Sequence, residues 1–313
     1  MRLDGTEESD NVEDRRGDTG SSGSFGGGGG GFSFGGGGGG KLGIGTILVL
    51  LLIGWVTGIN PMLLIGGAEM VTGSGGSGNT AYQQQASQTT TSPASAGKPS
   101  DEVGVFVSEI LKVNEDVWSR VLPEQTKIPF VKPHLVLFSG TTRSGCGSAD
   151  SATGPFYCPD DQKVYLDTSF FDEMRTRFGG GGKFADAYVV SHEVGHHIEN
   201  LLGILAKVDA QRDRSDQTQA NALSVRIELM ADCLGGVWAF HAKDQIKLEE
   251  SDIAEALRTA SAIGDDRLQQ QARGRVVPDS FTHGTSDQRQ RWFTQGWRSG
   301  SINQCNTFQA TQL

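Results

Sequence analysis

One stretch of this sequence constrains the chain more than any other: residues 42–68 contain no charged side chain. Within it, Leu42–Ile59 is almost wholly apolar, and Asn60-Pro61 follows directly. A helix of that length, rising about 1.5 Å per residue, just spans a hydrocarbon core of about 30 Å. The flanking segments are rich in Gly, Ser, Thr and Gln and offer no surface against which a buried core helix could pack. The pattern therefore predicts a single transmembrane helix over residues 42–66.

A cleaved signal peptide is the alternative for this stretch. The 41 residues that precede it are too many for an ordinary n-region, and the apolar run exceeds a normal h-region. Lys41 adjoins its N-terminal side, whereas no Lys or Arg follows it before Lys98. The positive-inside rule thus favours a cytoplasmic N-terminus and an exported C-terminal region.

Composition divides the remainder of the chain. Two glycine runs, Gly26–Gly31 and Gly35–Gly40, hold 12 of the 45 glycines, so we expect residues 1–41 to form a disordered head. Residues 67–100 lack apolar periodicity and predict a flexible linker. Residues 101–313 have the composition of a globular domain long enough to bury a core. That region holds 22 Lys and Arg against 29 Asp and Glu, without a basic cluster, which argues against nucleic-acid binding.

All four cysteines follow the apolar stretch, as expected for disulfides in an oxidising compartment: Cys146, Cys158, Cys233 and Cys305. Four cysteines allow three pairings. The short separation favours Cys146–Cys158, which would leave Cys233–Cys305 as a long-range link. Four free thiols or a metal site are the alternatives, although none of the spacings is CxxC.

Periodicity in residues 101–313 predicts strands first and helices later, which indicates an α+β domain rather than alternating βαβ units. Residues 134–138 form a short apolar run, and residues 156–157 and 163–166 flank a turn and predict a hairpin. One helical pattern, at residues 101–122, precedes the strands. Four others follow them, at residues 169–178, 184–202, 216–242 and 251–262.

The third of those helical patterns carries the sequence SHEVGHH at Ser191–His197. His192 and His196 are four residues apart, so one helical turn places both imidazoles on one face, at a separation that suits two ligands of a tetrahedral Zn²⁺. Glu193 is rotated by about 100° from His192, a placement that suits a general base for a zinc-activated water. The plain alternative is an exposed helix rich in polar residues.

The next long helix supplies two carboxylates on one face, Glu228 and Asp232. A zinc hydrolase needs a third protein ligand, which Glu228 can provide, while Asp232 can accept the other ring N–H of a ligand histidine. The surrounding residues are strongly apolar, and an unpaired carboxylate buried among them would be costly. A surface acid or a partner for Arg226 is the alternative for Glu228.

HExxH followed on a later helix by ExxxD resembles the gluzincin metallopeptidases, in which the downstream Glu is the third zinc ligand. A closer resemblance, to the bacterial membrane-anchored neutral zinc metallopeptidase family, rests on six blocks that occur in order: residues 144–147, 154–161, 164–167, 191–200, 228–238 and 282–289. The resemblance implies a zincin-like α+β domain, with a small β-sheet packed on the HExxH helix, behind one N-terminal transmembrane helix. The implied zinc ligands are His192, His196 and Glu228, and the implied base is Glu193.

The same resemblance implies the reaction and its setting. We expect zinc-dependent hydrolysis of peptide bonds in a peptide or protein substrate, by a domain exported across the bacterial cytoplasmic membrane and anchored through the single span. The KVYLD segment, Lys163–Asp167, would be the exposed sheet edge with which an extended substrate pairs. His283 is the candidate donor to the oxyanion, with an ordinary surface-loop histidine as the alternative for this residue, and Tyr165 and Arg289 are weaker candidates.

Two further functions stay open at this point. The first is a non-catalytic cell-envelope interaction domain with a structural or degenerate metal site. The second is an amidase that acts on cell-wall peptides, which shares the zinc chemistry and the ligand set.

Overall fold

A four-stranded sheet forms one layer of the fold. The structure, a computed structural model, describes residues 1–17 and 97–313, and these belong to one unit. Its sheet has the order β1-β2-β6-β5, in which β1, β2 and β6 are parallel and β5 is antiparallel to β6. The strands are β1 (Val12–Asp14), β2 (His134–Phe138), β5 (Phe156–Cys158) and β6 (Lys163–Asp167). A separate hairpin pairs β3 (Thr141–Ser144) with β4 (Gly147–Asp150).

Both faces of this sheet are covered, which explains the continuous apolar run HLVLF in β2. Leu135 and Leu137 face the main core between sheet and helices, whereas Val136 and Phe138 belong to a second, smaller cluster on the other face. The strand and the hairpin predicted at residues 134–138 and 156–166 are both confirmed.

Helices form the other layer. In the described residues they are α1 (Glu102–Thr126), α2 (Ser169–Glu173), α3 (Lys183–Leu201), α4 (Ile204–Arg212), α5 (Gln217–Ala242), α6 (Glu250–Ala262), α7 (Asp265–Arg273) and α8 (Ser286–Ser299). The α2 helix continues as a π turn over Met174–Phe178. The mixed α+β architecture and the helices predicted near residues 184–202, 216–242 and 251–262 are confirmed.

The α3 and α5 helices approach closely at Gly195, the glycine inside the HEVGHH sequence. A Cβ at this position would lie 3.0 Å from the carbonyl oxygen of Ala231 and 3.1 Å from its Cα. Because glycine carries no side chain, the two backbones can meet here, and α5 lies directly against the helix that carries the two histidines.

The N-terminal residues differ from the sequence expectation. Residues 1–41 were expected to be a disordered head, but residues 1–17 belong to the folded unit and β1 is an edge strand of the main sheet. Val12 is only 7% exposed and packs in the main core. The domain therefore includes residues on both sides of the glycine runs, and the boundary predicted at residue 101 misses its first strand. A three-residue strand next to low-complexity sequence carries too little periodicity to be recognised.

The predicted transmembrane helix over residues 42–66 lies outside the described residues, as does most of the linker predicted at 67–100. Within residues 1–17 and 97–313, no helix is long and apolar enough to cross a membrane.

Two disulfides join all four cysteines, in the pairing that the short separation favoured. Cys146 is bonded to Cys158, and Cys233 to Cys305. The first connects the turn between β3 and β4 to the edge strand β5, and the second fastens the C-terminal segment to the middle of α5.

Candidate metal centre

Three side chains on α3 and α5 converge to form one donor group. The ligand atoms offered by His192, His196 and Glu228 all lie within 4.8 Å of one another. Nε2 of His192 is 3.2 Å from Oε2 of Glu228, and Nε2 of His196 is 3.6 Å from Oε1. Bonds of 2.0–2.2 Å to a tetrahedral zinc would set such atoms roughly 3.4 Å apart. The donor chemistry and the spacing thus both fit a zinc ion.

The far nitrogen of each histidine is held by a carboxylate. Nδ1 of His192 lies 2.9 Å from Oδ1 of Asp232, and Nδ1 of His196 lies 2.8 Å from Oε2 of Glu199. A carboxylate accepts the Nδ1 proton, so the Nε2 lone pair of each ring is directed toward Glu228. The arrangement selects the tautomer that a metal ligand requires.

Asp232 is itself fixed by a buried network. Arg289 of α8 donates from Nε to Oδ2 at 2.8 Å and from Nη2 to Oδ1 at 2.9 Å, and the hydroxyl of Tyr188 donates to Oδ1. Burial alone would raise the pKa of Asp232, but the charge of Arg289 and the hydrogen bonds lower it to about 2. Asp232 therefore stays ionised and keeps His192 oriented.

Glu199 is the residue of this centre that the sequence argument missed. It is fully buried on α3, and burial raises its pKa to about 7, against the opposing charge of His196. Its second oxygen, Oε1, is buried without a hydrogen-bond partner among the described residues. The signal was present in the sequence, since Glu199 follows His196 by three residues and so lies on the same helical face.

Glu193 lies beside this group without joining it. Its side chain is 7% exposed, and within residues 1–17 and 97–313 its carboxylate makes no hydrogen bond or ion pair. Burial raises the pKa of Glu193, although the neighbouring histidines oppose that shift. A carboxyl with a raised pKa and no fixed partner can exchange a proton with water.

His283 lies on a loop that Asp265 holds in place. One oxygen of Asp265 accepts from the backbone N–H groups of His283 at 2.7 Å and Gly284 at 3.1 Å, and its other oxygen lies 3.2 Å from Nδ1 of His283. The imidazole is 42% exposed. Burial opposes its charged form, but the negative charge of Glu228 and the hydrogen bond to Asp265 raise its pKa.

The two weaker oxyanion candidates are engaged elsewhere. Arg289 is buried and commits its guanidinium to Asp232. Tyr165 belongs to the small cluster on the sheet face opposite the main core, and its hydroxyl donates to Asp161 at 2.6 Å. Neither side chain is free to contact a substrate at the donor group.

The strand that was expected to pair with substrate does not lie at the edge of the sheet. Lys163–Asp167 is β6, which pairs with β2 on one side and with β5 on the other, so the prediction of an exposed β6 edge is wrong. Strand order depends on pairing between distant segments, which local periodicity does not report. Among the described strands of this sheet, the two outer edges belong to β1 and β5.

β5 is fastened to the histidine-bearing helix. Nε2 of His197 lies 2.7 Å from the carbonyl oxygen of Val131, which can only accept, so Nε2 carries the proton. Nδ1 then accepts from the hydroxyl of Tyr157 on β5 at 3.0 Å, and Asn200 donates to the same hydroxyl. His197 is thus a structural residue that joins α3 to the edge strand, and it is not part of the donor group.

An α+β domain with HExxH on one helix and a glutamate donor on a later helix presents the donor set of a zinc metallopeptidase. The comparison with protein families agrees with this class. The chain belongs to the family described as "Putative neutral zinc metallopeptidase", whose profile matches residues 1–308.

The relatives of this chain match either nearly its whole length or about two thirds of it. YpfJ of Escherichia coli strain K12 is 47% identical over 308 residues, which cover 98% of this chain and 99% of YpfJ. Rv2575 of Mycobacterium tuberculosis strain H37Rv is 46% identical over 208 residues, covering 63% of this chain and 68% of that protein. Both carry the description of uncharacterized proteins. No solved structure matches the chain.

Proposed function

We propose that this protein is a zinc-dependent peptidase in which His192, His196 and Glu228 bind the metal and Glu193 is the general base. The observation that carries the proposal is the convergence of the three donor atoms within 4.8 Å. A zinc ion bound by them would supply a Lewis acid that polarises a substrate carbonyl and lowers the pKa of a water.

The size of the donor group favours catalysis over a structural metal. Structural zinc sites are closed by four protein ligands, whereas catalytic sites keep one position open for water or substrate. Among residues 1–17 and 97–313, this group has three members, and no fourth His, Cys, Asp or Glu joins it. A non-catalytic envelope domain with a structural metal is therefore the weaker proposal.

The protein side chains divide the remaining work. Glu193 takes a proton from the attacking water and returns it to the leaving amine, since its pKa is raised and its carboxylate has no competing partner in the described part of the chain. His283 is the proposed donor to the oxyanion, because its exposed ring is held by Asp265 within the field of Glu228.

The proposed substrate is a peptide in extended conformation that pairs with the outer edge of β5. Such pairing uses main-chain hydrogen bonds, so it accepts many side-chain sequences. The hydrogen bond between Tyr157 and His197 fixes β5 relative to α3, so a peptide paired with β5 would lie at a fixed distance from α3. If the protein were an amidase, a cell-wall peptide would bind at the same donor group. Cleavage assays with defined peptides of each kind distinguish the two substrate classes.

The compartment proposed for this activity is outside the bacterial cytoplasm. Two disulfides that engage every cysteine of the chain are typical of oxidising compartments and rare in the cytosol.

Metal content of the full chain tests the ligand set. We expect about one zinc per purified wild-type chain, and loss of both zinc and peptide hydrolysis in Glu228→Ala, because two histidines alone do not hold zinc tightly. Elemental mass spectrometry measures the first, and a peptide-library cleavage assay measures the second. Glu250→Ala, at an exposed glutamate of α6, is the matched control and should retain both. A fully loaded Glu228→Ala protein would mean that another residue completes the site.

Glu193→Gln separates chemistry from metal binding. The variant keeps all three donors but removes the carboxylate that accepts the proton. We therefore expect normal zinc content with hydrolysis reduced by about 10²-fold or more. Turnover near the wild-type rate in a zinc-loaded Glu193→Gln protein would exclude the proposed base.

A further inference from the structure

The pairing of strand β1 restricts the topology that this chain can have relative to a membrane. It lies parallel to β2 with Val12, Glu13 and Asp14 opposite Leu135, Val136 and Leu137. Two backbone hydrogen bonds bracket the pairing, from Leu135 N–H to the carbonyl of Asn11 and from Arg15 N–H to the carbonyl of Leu137, each at 2.8 Å. The N-terminal segment is thus an integral strand of the sheet.

Side chains bury this segment in the domain. Glu115 of α1 is 1% exposed, and its Oε1 accepts from Ser9 Oγ at 2.6 Å and from Asn11 Nδ2 at 2.7 Å. Ser108 returns a hydrogen bond to the carbonyl of Ser9. If residues 9–11 were absent, the carboxylate of Glu115 would lose both of these donors and keep only Lys132. Leaving a buried charge so poorly paired is expensive, so the contact is a firm one.

Residues 14–16 lie beside residues 97–101. The N–H of Asp14 donates to the carbonyl of Gly97 at 3.2 Å. Arg16 pairs with Asp101, the residue that caps the N-terminus of α1. The last residues described before the uncharged segment and the first described after it therefore lie side by side.

We infer that residues 1–17 and residues 97–313 lie on the same side of the membrane that the uncharged segment is expected to enter. A chain that crosses a bilayer once between residues 17 and 97 puts β1 and β2 on opposite faces, where they cannot share backbone hydrogen bonds. The topology expected from the single span, with a cytoplasmic N-terminus and an exported domain, is incompatible with this sheet. This inference does not depend on the proposed peptidase activity.

Single-cysteine labelling of the full chain in cells tests the inference. All four native cysteines are in disulfides, so an introduced thiol is the one free thiol of the protein. One variant carries Glu8→Cys, in the N-terminal segment, and the other carries Arg214→Cys, in the turn between α4 and α5; both positions are exposed. A membrane-impermeant maleimide is applied to spheroplasts before and after permeabilisation, with the wild-type chain as the unlabelled control.

For each variant, labelling in intact spheroplasts is divided by labelling after permeabilisation. Equal ratios for the Glu8→Cys and Arg214→Cys variants support the inference. Labelling of both in intact spheroplasts places the shared side outside, and labelling of both only after permeabilisation places it in the cytoplasm. Labelling of one position in intact spheroplasts and of the other only after permeabilisation overturns the inference.

A second measurement asks whether β1 is docked in the protein as isolated. Val12→Asp puts an unpaired charge in the core beside β2, so we expect a clear loss of thermal stability. Val276→Asp makes the same change at a side chain that is 40% exposed and should leave the melting temperature unchanged. An unchanged melting temperature for Val12→Asp would remove the basis of the inference.

Discussion

Each histidine of the candidate metal centre is oriented by one carboxylate. Asp232 holds His192 from α5, as the ExxxD spacing predicted, while Glu199 holds His196 from one turn further along α3. The two carboxylates differ in their surroundings. Arg289 keeps Asp232 ionised, whereas burial raises the pKa of Glu199 to about 7. In the described part of the chain, His196 is the one hydrogen-bond partner of the Glu199 side chain.

Truncation of Glu199 should weaken zinc binding without removing a ligand. Glu199→Ala leaves His196 free to rotate and its Nδ1 unpaired, so we expect zinc affinity to fall by about 10- to 100-fold. Glu199→Gln retains an amide oxygen that can accept the same hydrogen bond, and it should recover part of the loss. Competition with a chromophoric chelator measures both affinities. Equal zinc affinity in Glu199→Ala and the wild type would show that His196 is positioned by other contacts.

At the scale of single elements, the helix α3 bears a second buried carboxylate near its start. Arg175 donates to Oδ2 of Asp186 at 2.9 Å, while Oδ1 has no hydrogen-bond partner in the described part of the chain. Burial raises the pKa of Asp186 to about 6, although the charge of Arg175 lowers it and that of Glu255 adds to the rise. The first turn of α3 therefore contains a carboxyl group, that of Asp186, whose protonated form is favoured by burial.

The stability of the protein should respond to pH through Asp186. Below about pH 4 the group is protonated in both folded and unfolded chains, and above about pH 6 it is ionised in both, at a cost to the folded state. The free energy of unfolding should thus fall by up to about 3 kcal/mol as pH rises between these limits. Asp186→Asn lacks this loss and should be the more stable protein at neutral pH, but not at acidic pH.

Urea unfolding across this pH range measures the difference. Asp172→Asn is the matched control, because Asp172 pairs with the same Arg175 but its side chain is 79% exposed. A stability gap between Asp186→Asn and wild type that is independent of pH would contradict the assignment to Asp186.

The elements also show what local sequence can predict. His192, Glu193 and His196 were assigned correctly to one helix because helical spacing fixes their relation within two turns. The place of β6 between β2 and β5, and the insertion of β1 at the other edge, were not predicted. Both depend on hydrogen bonds between segments far apart in sequence, for which a period of two residues carries no information. The position of Glu228 was predictable because the chemistry of a third ligand, rather than pattern alone, required it.

At the scale of the whole molecule, the two disulfides constrain the chain very differently. Cys146–Cys158 closes a short surface loop with a sequence separation of 12, whereas Cys233–Cys305 closes one of 72. The longer loop contains α6, α7 and α8, including the loop of His283 and the arginine that holds Asp232. Its disulfide therefore ties together the elements that surround the candidate metal centre on α5.

Removal of each disulfide should reveal this asymmetry. By the loop-entropy relation, the bond between Cys233 and Cys305 contributes about 4 kcal/mol and the bond between Cys146 and Cys158 about 3 kcal/mol. Replacing Cys233 and Cys305 by alanine leaves two small cavities, because both side chains are nearly fully buried, whereas in the other pair only Cys158 is buried and Cys146 is exposed. We therefore expect the double variant at 233 and 305 to unfold at distinctly lower urea concentration than the double variant at 146 and 158. It should also bind zinc more weakly, because α8 and Arg289 are no longer tied to α5 through the C-terminal segment. Equal stability of the two variants would show that packing of α8 on α5, without the covalent link, is sufficient to hold the centre together.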